Sequence, residues 1–242
     1  MSITKLDILA FASHPDDIEL GCSGTIIAHI AAGKKVGIVD LTRGELGTRG
    51  TPEVRAAEAE AATKVMGVTV RENLGFADAF FQNDKEHQLR VVQKIRQYQP
   101  EIVLMNAVHD RHPDHGKGSS LVSDACFMAG LKMISTLGPE GEQQQAWRPK
   151  VVYHFIQDRL IIPDIIVDVT PYWEQKMESI RAFRSQFYNP DDTSPNTYIS
   201  SPEFLRFIEA RALEFGHSIG VTYGEGFTKE RHIGVRNLFD LL

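Results

Sequence analysis

Short, unbroken apolar runs alternate with segments of helical period through the first half of this 242-residue chain, and that alternation restricts the fold more than any other feature. Residues 6–12, LDILAFA, have the continuity of a strand covered on both faces rather than the alternation of a half-exposed one. GTIIAHIAAG predicts a helix stopped at Gly33, and KVGIVDLT (35–42) a second strand. Thr51 and Pro52 form the N-cap and first position of a helix that Gly67 ends. VTVRENL predicts a third strand, and EHQLRVVQKIRQY places Leu89, Val92 and Ile95 on one helical face until Pro100 blocks continuation. EIVLMNA (101–107) predicts a fourth strand, with GSSLVSDACFMAGLKMI (118–134) as the helix after it. Further on, VVYHFI and IIVDV predict strands and PYWEQKMESIRAFRSQF a helix. SPEFLRFIEARALEFG predicts a last helix, with Ser201 as N-cap, Pro202 at its first position and Gly216 as its C′ residue. GPEGEQQQAWRP and YNPDDTSPNTYIS read as loops. The pattern predicts an α/β fold with a Rossmann-like, doubly wound, mostly parallel sheet, and without repeats or a boundary, a single domain over residues 1–242.

Two of the predicted strands end in nearly the same way. The first runs into His14-Pro15-Asp16-Asp17 and the fourth into His112-Pro113-Asp114-His115. In a sheet ordered 3-2-1-4-5, strands 1 and 4 are neighbours at the point where the winding reverses, and ligands bind beyond their carboxyl ends. Both motifs are thus expected at one crevice.

A catalytic zinc takes three protein ligands from His, Asp or Glu and keeps a position for water. His14 and Asp17, spaced i, i+3 on a tight turn, can point one way, and His115 can complete the set. Asp16 is then placed to take a proton from a metal-activated water, and His112 with Asp114 forms an outer shell suited to oxyanion stabilisation or proton delivery. A plainer reading makes Asp16 and Asp17 helix caps. One His-Pro-Asp-Asp alone would favour that reading, whereas two such motifs at adjacent strand ends favour a metal site.

Composition removes other classes. A net charge of −6 and a pI near 5.8 argue against a nucleic-acid partner. No apolar run approaches the roughly 20 residues a bilayer span needs. The N-terminus lacks signal-peptide organisation, and the two cysteines, Cys22 and Cys126, fit free thiols in a reducing compartment, so a cytoplasmic location is expected. The first turn, SHPDDIELGCSG, lacks G-x-G-x-x-G and puts carboxylates where phosphates would sit, which argues against dinucleotide binding. His14, Asp16 and His115 also match a two-His-one-carboxylate iron triad, but that scheme leaves Asp17 without a task.

The two motifs, together with DLTRGELGTRGT and YGEGF, resemble the PIG-L/LmbE-like family of metal-dependent N-acetylglucosaminyl deacetylases over nearly the whole chain. The likeness is closest to the branch that deacetylates N-acetylglucosaminyl-L-malate to glucosaminyl-malate and acetate in bacillithiol biosynthesis. The resemblance implies Zn2+, or another divalent metal such as Fe2+, held by His14, Asp17 and His115, with Asp16 as general base assisted by His112 and Asp114. It also implies that Arg55 lies at the active-site rim and that the protein forms a homo-oligomer. Relatives use a mobile tyrosine at the oxyanion, for which Tyr198 and Tyr188, flanking the long loop, are candidates. Arg43, Arg49, Arg111 and Lys117 lie in or beside the loops after strands 2 and 4, and with Arg55 they favour a small anionic amino-sugar substrate. Another N-acetylglucosaminyl compound or thiol conjugate is the nearest alternative substrate.

Overall fold

The computed structural model describes residues 5–240, so the extreme ends of the expected 1–242 domain lie outside the described residues. Its sheet has seven strands in the order β3-β2-β1-β4-β5-β7-β6. Strands β1 (Ile8–Ala12), β2 (Val36–Thr42), β3 (Val70–Phe76), β4 (Ile102–Asn106) and β5 (Val151–Phe155) pair in parallel. β7 (Gly224–Lys229) runs antiparallel between β5 and β6 (Ile165–Asp168). The expected α/β fold and its order around β1 are therefore present, with an antiparallel extension at one edge.

The apolar runs are continuous because both faces of the sheet are covered. Ile8, Ala10 and Ala12 of β1 join one core with Val36 and Ile38, while Leu9 and Phe11 join the other with Val39 and Leu41. Helices α2 (Ser23–Ala31), α3 (Pro52–Met66), α6 (Trp173–Arg181) and α7 (Pro202–Ser218) contribute to the first core. Helices α4 (Lys85–Tyr98) and α5 (Pro113–Ala129) cover the second. The short helix α1 (Asp17–Gly21) follows the first motif directly. Among the described residues no helix is long and apolar enough to cross a membrane.

The elements differ from the sequence reading at several points: α6 ends at Arg181 and α5 at Ala129, both earlier than expected, and three further differences have a local reason. Helix α5 starts at Pro113 rather than near residue 118, because His112 caps it: its ring accepts a hydrogen bond from Asp114 N–H. The second motif therefore lies in the first turn of the helix. Helix α7 passes through Gly216 and ends at Ser218; a Cβ at Gly216 would lie 2.5 Å from the Thr222 carbonyl, so this glycine serves close approach rather than a cap. Strand β7 is absent from the sequence reading, because Gly224 and Gly226 depress strand propensity. A Cβ at Gly226 would meet the Phe215 ring at 2.6 Å, so the glycine lets α7 lie on the strand.

Between those glycines, Glu225 is a buried junction. Its carboxylate accepts the N–H groups of Gly24 (2.9 Å) and Thr25 (2.6 Å) at the start of α2 and pairs with buried Lys176 Nζ at 2.8 Å. Removing it leaves two helix N–H groups without their acceptor and the Lys176 ammonium, still bonded to Glu19 O and Leu20 O, without its counter-charge. Glu225→Ala should cost about 3–5 kcal/mol in urea unfolding, the range for breaking a buried pair from one side. Glu225→Gln, which keeps an acceptor for α2 but not the charge, should fall between; an alanine variant with the wild-type midpoint would contradict this role.

Candidate metal centre

β1 ends at Ala12 and β4 at Asn106, and parallel pairing between them (Ile8↔Ile102, Ala10↔Leu104) sets both exits side by side. The loop after β1 makes a tight turn in which His14 O accepts Asp17 N–H (3.3 Å) and Asp17 Oδ2 accepts His14 N–H (2.9 Å). The second motif enters α5 beside it. One nitrogen from each of His14, His112 and His115 lies within 4.8 Å of the others.

The ring nitrogens are sorted by carboxylates. His14 Nε2 lies 3.1 Å from Asp78 Oδ1 and 3.3 Å from Asp114 Oδ2, and His115 Nδ1 lies 2.7 Å from Asp110 Oδ2. The remaining nitrogens both face Asp17: His14 Nδ1 at 3.5 Å from Oδ2 and His115 Nε2 at 3.1 Å from Oδ1. A metal-binding imidazole characteristically has its second nitrogen on a carboxylate, which fixes tautomer and ring direction. His14 Nδ1, His115 Nε2 and Asp17 thus form a donor set of the kind a divalent metal takes. Besides the three histidines, His14 with Asp78 and Asp114 falls within 4.8 Å. That grouping offers a single imidazole.

Charge balance points the same way. Asp16, Asp17, Asp78, Asp110 and Asp114 are all buried. Arg55 pairs with Asp16 (2.9 Å) and Lys117 with Asp114 (2.9 Å), whereas the ion pairs of Asp17, Asp78 and Asp110 are with histidines. Without a metal that deficit falls on the imidazoles. Burial disfavours a charged His115, but Asp17 and Asp110 outweigh it and raise its pKa to about 9. His14 is likewise raised against burial, by Asp114, Asp17 and Asp78. A divalent cation supplies the same positive charge in place of those protons, so the residues fit one. His112 behaves oppositely: burial and its two histidine neighbours lower it to about 4. Its Nδ1 accepts Asp114 N–H at 3.3 Å, which leaves the ring hydrogen of the neutral form on Nε2.

Asp16 is not a helix cap by side chain; it makes no cap hydrogen bond and holds φ at +117°, a conformation rarely adopted by any residue but glycine. Arg55 holds this turn in place, donating to Pro15 O (2.6 Å), Asp16 Oδ2 (2.9 Å) and Gly44 O (3.2 Å). Burial raises Asp16 to about 7, against the lowering pull of Arg55.

The other basic residues divide. Arg55 is buried and engaged on Asp16, while Glu58 in the same helix accepts Ser185 N–H and Oγ–H, both at 2.7 Å. Arg49 is buried in an ion pair with Asp192 of the long loop. Lys117 is tied to Asp114 and Ala79 O. Arg111 remains partly exposed, 3.4 Å from Asp158 and over the Tyr198 ring at 4.3 Å. Tyr198 and Tyr188 are both exposed. Asp78 and Asp110, which the sequence reading does not single out, are brought in by the loops after β3 and β4; only Asp110, beside the second motif, has a local signal. A cleft between α3 and edge strand β3, lined by Val70, Arg71 and Ala59 among others, meets the motifs only at Pro15.

Residues 9–126 match the family PIG-L, GlcNAc-PI de-N-acetylase. The diacetylchitobiose deacetylase of Thermococcus kodakarensis is 29% identical over 90% of this chain and 81% of its own length. The 4-oxalmesaconate hydratase of Pseudomonas putida is 24% identical, covering 77% of this chain and 76% of that one. The probable N-acetyl-α-D-glucosaminyl L-malate deacetylase 2 of Bacillus anthracis is 25% identical over 74% of this chain and 81% of its own. The crystal structure of the conserved protein TT1542 from Thermus thermophilus superposes with a TM-score of 0.83 at 34% identity, covering 96% of this chain and 98% of that one.

In metal-stripped protein Asp16 gives up its proton near pH 7, and Arg55 is the cation beside it. Raising a carboxyl pKa above its unfolded value makes stability fall as pH climbs toward the folded value. Without Arg55 that fall should continue to higher pH. Arg55→Met should therefore show a constant loss at pH 6 and below, where Pro15 O and Gly44 O lose their donor, and a further loss that grows above pH 7 in urea unfolding. A loss independent of pH would separate Arg55 from Asp16.

Proposed function

The chain belongs to the PIG-L family, whose characterised deacetylases are amide hydrolases, and on that premise we propose that it is a metal-dependent N-deacetylase of N-acetylglucosaminyl compounds. The observation that carries the reading is the convergence of His14 Nδ1, His115 Nε2 and Asp17, each histidine locked from behind by a carboxylate. These three are the proposed ligands, and zinc is the proposed metal. When bound, a divalent metal supplies Lewis acidity toward the amide carbonyl and lowers the pKa of water.

The remaining steps belong to the chain. Asp16, held by Arg55, takes the proton of the attacking water and returns it to the departing sugar amine, forming acetate. Neutral His112 presents Nε2–H to the developing oxyanion, with its ring seated by Asp114 N–H. Asp114 and Asp78 hold His14, and Asp110 holds His115. Arg55 acts through Asp16 rather than on substrate. Arg49 fastens the long loop through Asp192, and Arg111 is the basic side chain beside the second motif with a partly exposed guanidinium.

The finer reading is N-acetylglucosaminyl-L-malate as substrate. Its support is the Bacillus anthracis relative and the position of Arg111, where a malate carboxylate could find a guanidinium. The Thermococcus kodakarensis relative favours a chitobiose-type substrate instead. Purified enzyme, with and without chelator, should be assayed for free amine and acetate from N-acetylglucosaminyl-L-malate, diacetylchitobiose and N-acetylglucosamine. Chelator-sensitive release that is fastest with the malate compound is the expected result; fastest release from chitobiose would keep the chemistry and discard the malate reading. Turnover of 4-oxalmesaconate without acetate from any sugar would discard deacetylation itself.

Asp16→Asn should keep its metal and lose at least about 100-fold in kcat, the low end of what a general base contributes. Asp17→Ala should instead lose the metal, measured by elemental analysis of dialysed protein. Full activity in the first variant, or unchanged metal content in the second, would overturn the respective role.

A further inference from the structure

Asp17 has a partner that lies outside both motifs. Its Oδ1 accepts a hydrogen bond from Gln157 Nε2 at 2.7 Å. Gln157 Oε1 in turn accepts Asn106 Nδ2–H at 3.0 Å, and Asn106 Oδ1 accepts the backbone N–H of Ser13 at 2.9 Å. Ser13, Asn106, Gln157 and Asp17 are all buried. Asn106 is the last residue of β4, and Gln157 comes two residues after the end of β5. Three adjacent strand exits therefore contribute to a single chain of hydrogen bonds.

The direction of that chain is fixed by its first member. A backbone N–H can only donate, so Asn106 must turn its oxygen to Ser13 and its NH2 to Gln157. Gln157 must then turn its oxygen to Asn106 and its NH2 to Asp17. Neither amide can flip without setting two donors or two acceptors against each other in a site shielded from water, where an unmade hydrogen bond costs most. The same Ser13 N–H precedes His14, so one backbone group anchors both the turn that carries His14 and the relay that reaches Asp17. Asn106 is itself held from the far side, its carbonyl lying 3.0 Å from His154 Nδ1.

We propose that Gln157, oriented by Asn106, is a positioning residue for Asp17: the amide pair delivers an N–H donor to Oδ1 and so fixes the carboxylate's rotation toward a metal. The inference rests on the reading of Asp17 as a ligand. With both oxygens supplied with donors, Oδ1 by Gln157 and Oδ2 by His14 N–H, the carboxylate plane is set before a metal arrives. Without Gln157, Oδ1 keeps His115 alone, and only the His14 N–H on Oδ2 still resists rotation about the Cβ–Cγ bond. Hydrogen-bond partners of metal ligands characteristically contribute about 10- to 100-fold in metal affinity.

The test is zinc affinity of the metal-stripped full chain, by competition with a chelating dye, with urea unfolding measured in parallel. Wild type should bind zinc stoichiometrically and Asp17→Asn should lose it; failure there refutes the ligand reading itself. Given that control, Gln157→Met should weaken zinc binding by about 10-fold or more in protein that remains folded. Asn106→Asp provides a second reading, independent of whether Gln157→Met folds. Its new oxygen attracts Gln157 Nε2 and turns Oε1 toward Asp17, so zinc should bind more weakly despite the added negative charge. If Gln157 merely fills space, its loss lowers the unfolding midpoint while zinc affinity stays within about twofold of wild type, and Asn106→Asp binds zinc at least as tightly. Either result would overturn the proposal.

Discussion

Everything at the centre depends on the parallel ladder between β1 and β4. It joins segments nearly a hundred residues apart, and its register sets the height at which each chain leaves the sheet. Beyond β1 the backbone is forced into the left-handed conformation at Asp16, and beyond β4 it enters a helix capped by His112. Those two exits aim His14, Asp17 and His115 at one another. A one-residue slip in the ladder would turn every β1 side chain to the opposite core, so the burial of both faces enforces the register on which the site relies.

The cores supply rigidity, and the carboxylates supply the polarity of the site. Asp78 and Asp114 on one side and Asp110 on the other claim the outer nitrogens of His14 and His115, leaving the inner ones for Asp17. Burying so much negative charge against so few permanent cations is costly unless a cation completes it. The strained turn at Asp16 is retained because Arg55 binds the carbonyl before it and the carboxylate on it together. Gly44 makes room for that guanidinium: a Cβ there would lie 1.9 Å from Arg55 Nη1.

Much of this is legible in the chain because particular residues leave local marks. Strands β1 and β4 announce themselves as apolar runs and β2 as one broken by Asp40, and the Thr51-Pro52 start of α3 is confirmed by Thr51 accepting Val54 N–H. The twin motifs mark the centre because their spacing carries the chemistry. What the sequence hides is contact across distance. Arg55 reads as a rim residue, whereas folding places it against Asp16, 39 positions away. Asp78 and Gln157 belong to no motif and reach the centre only through the loops after β3 and β5. Asn106 does carry a signal, as an amide at the end of a buried apolar strand, where a polar side chain needs a partner. β7 escapes because packing against α7 demands glycines that local propensity counts against a strand.

The most direct test of the account is where a metal binds. Crystals of the metal-stripped protein soaked in zinc should give a single strong anomalous peak bounded by His14 Nδ1, Asp17 and His115 Nε2. A peak on the other side of the same imidazole, among His14 Nε2, Asp78 and Asp114, or none at the two motifs, would contradict it.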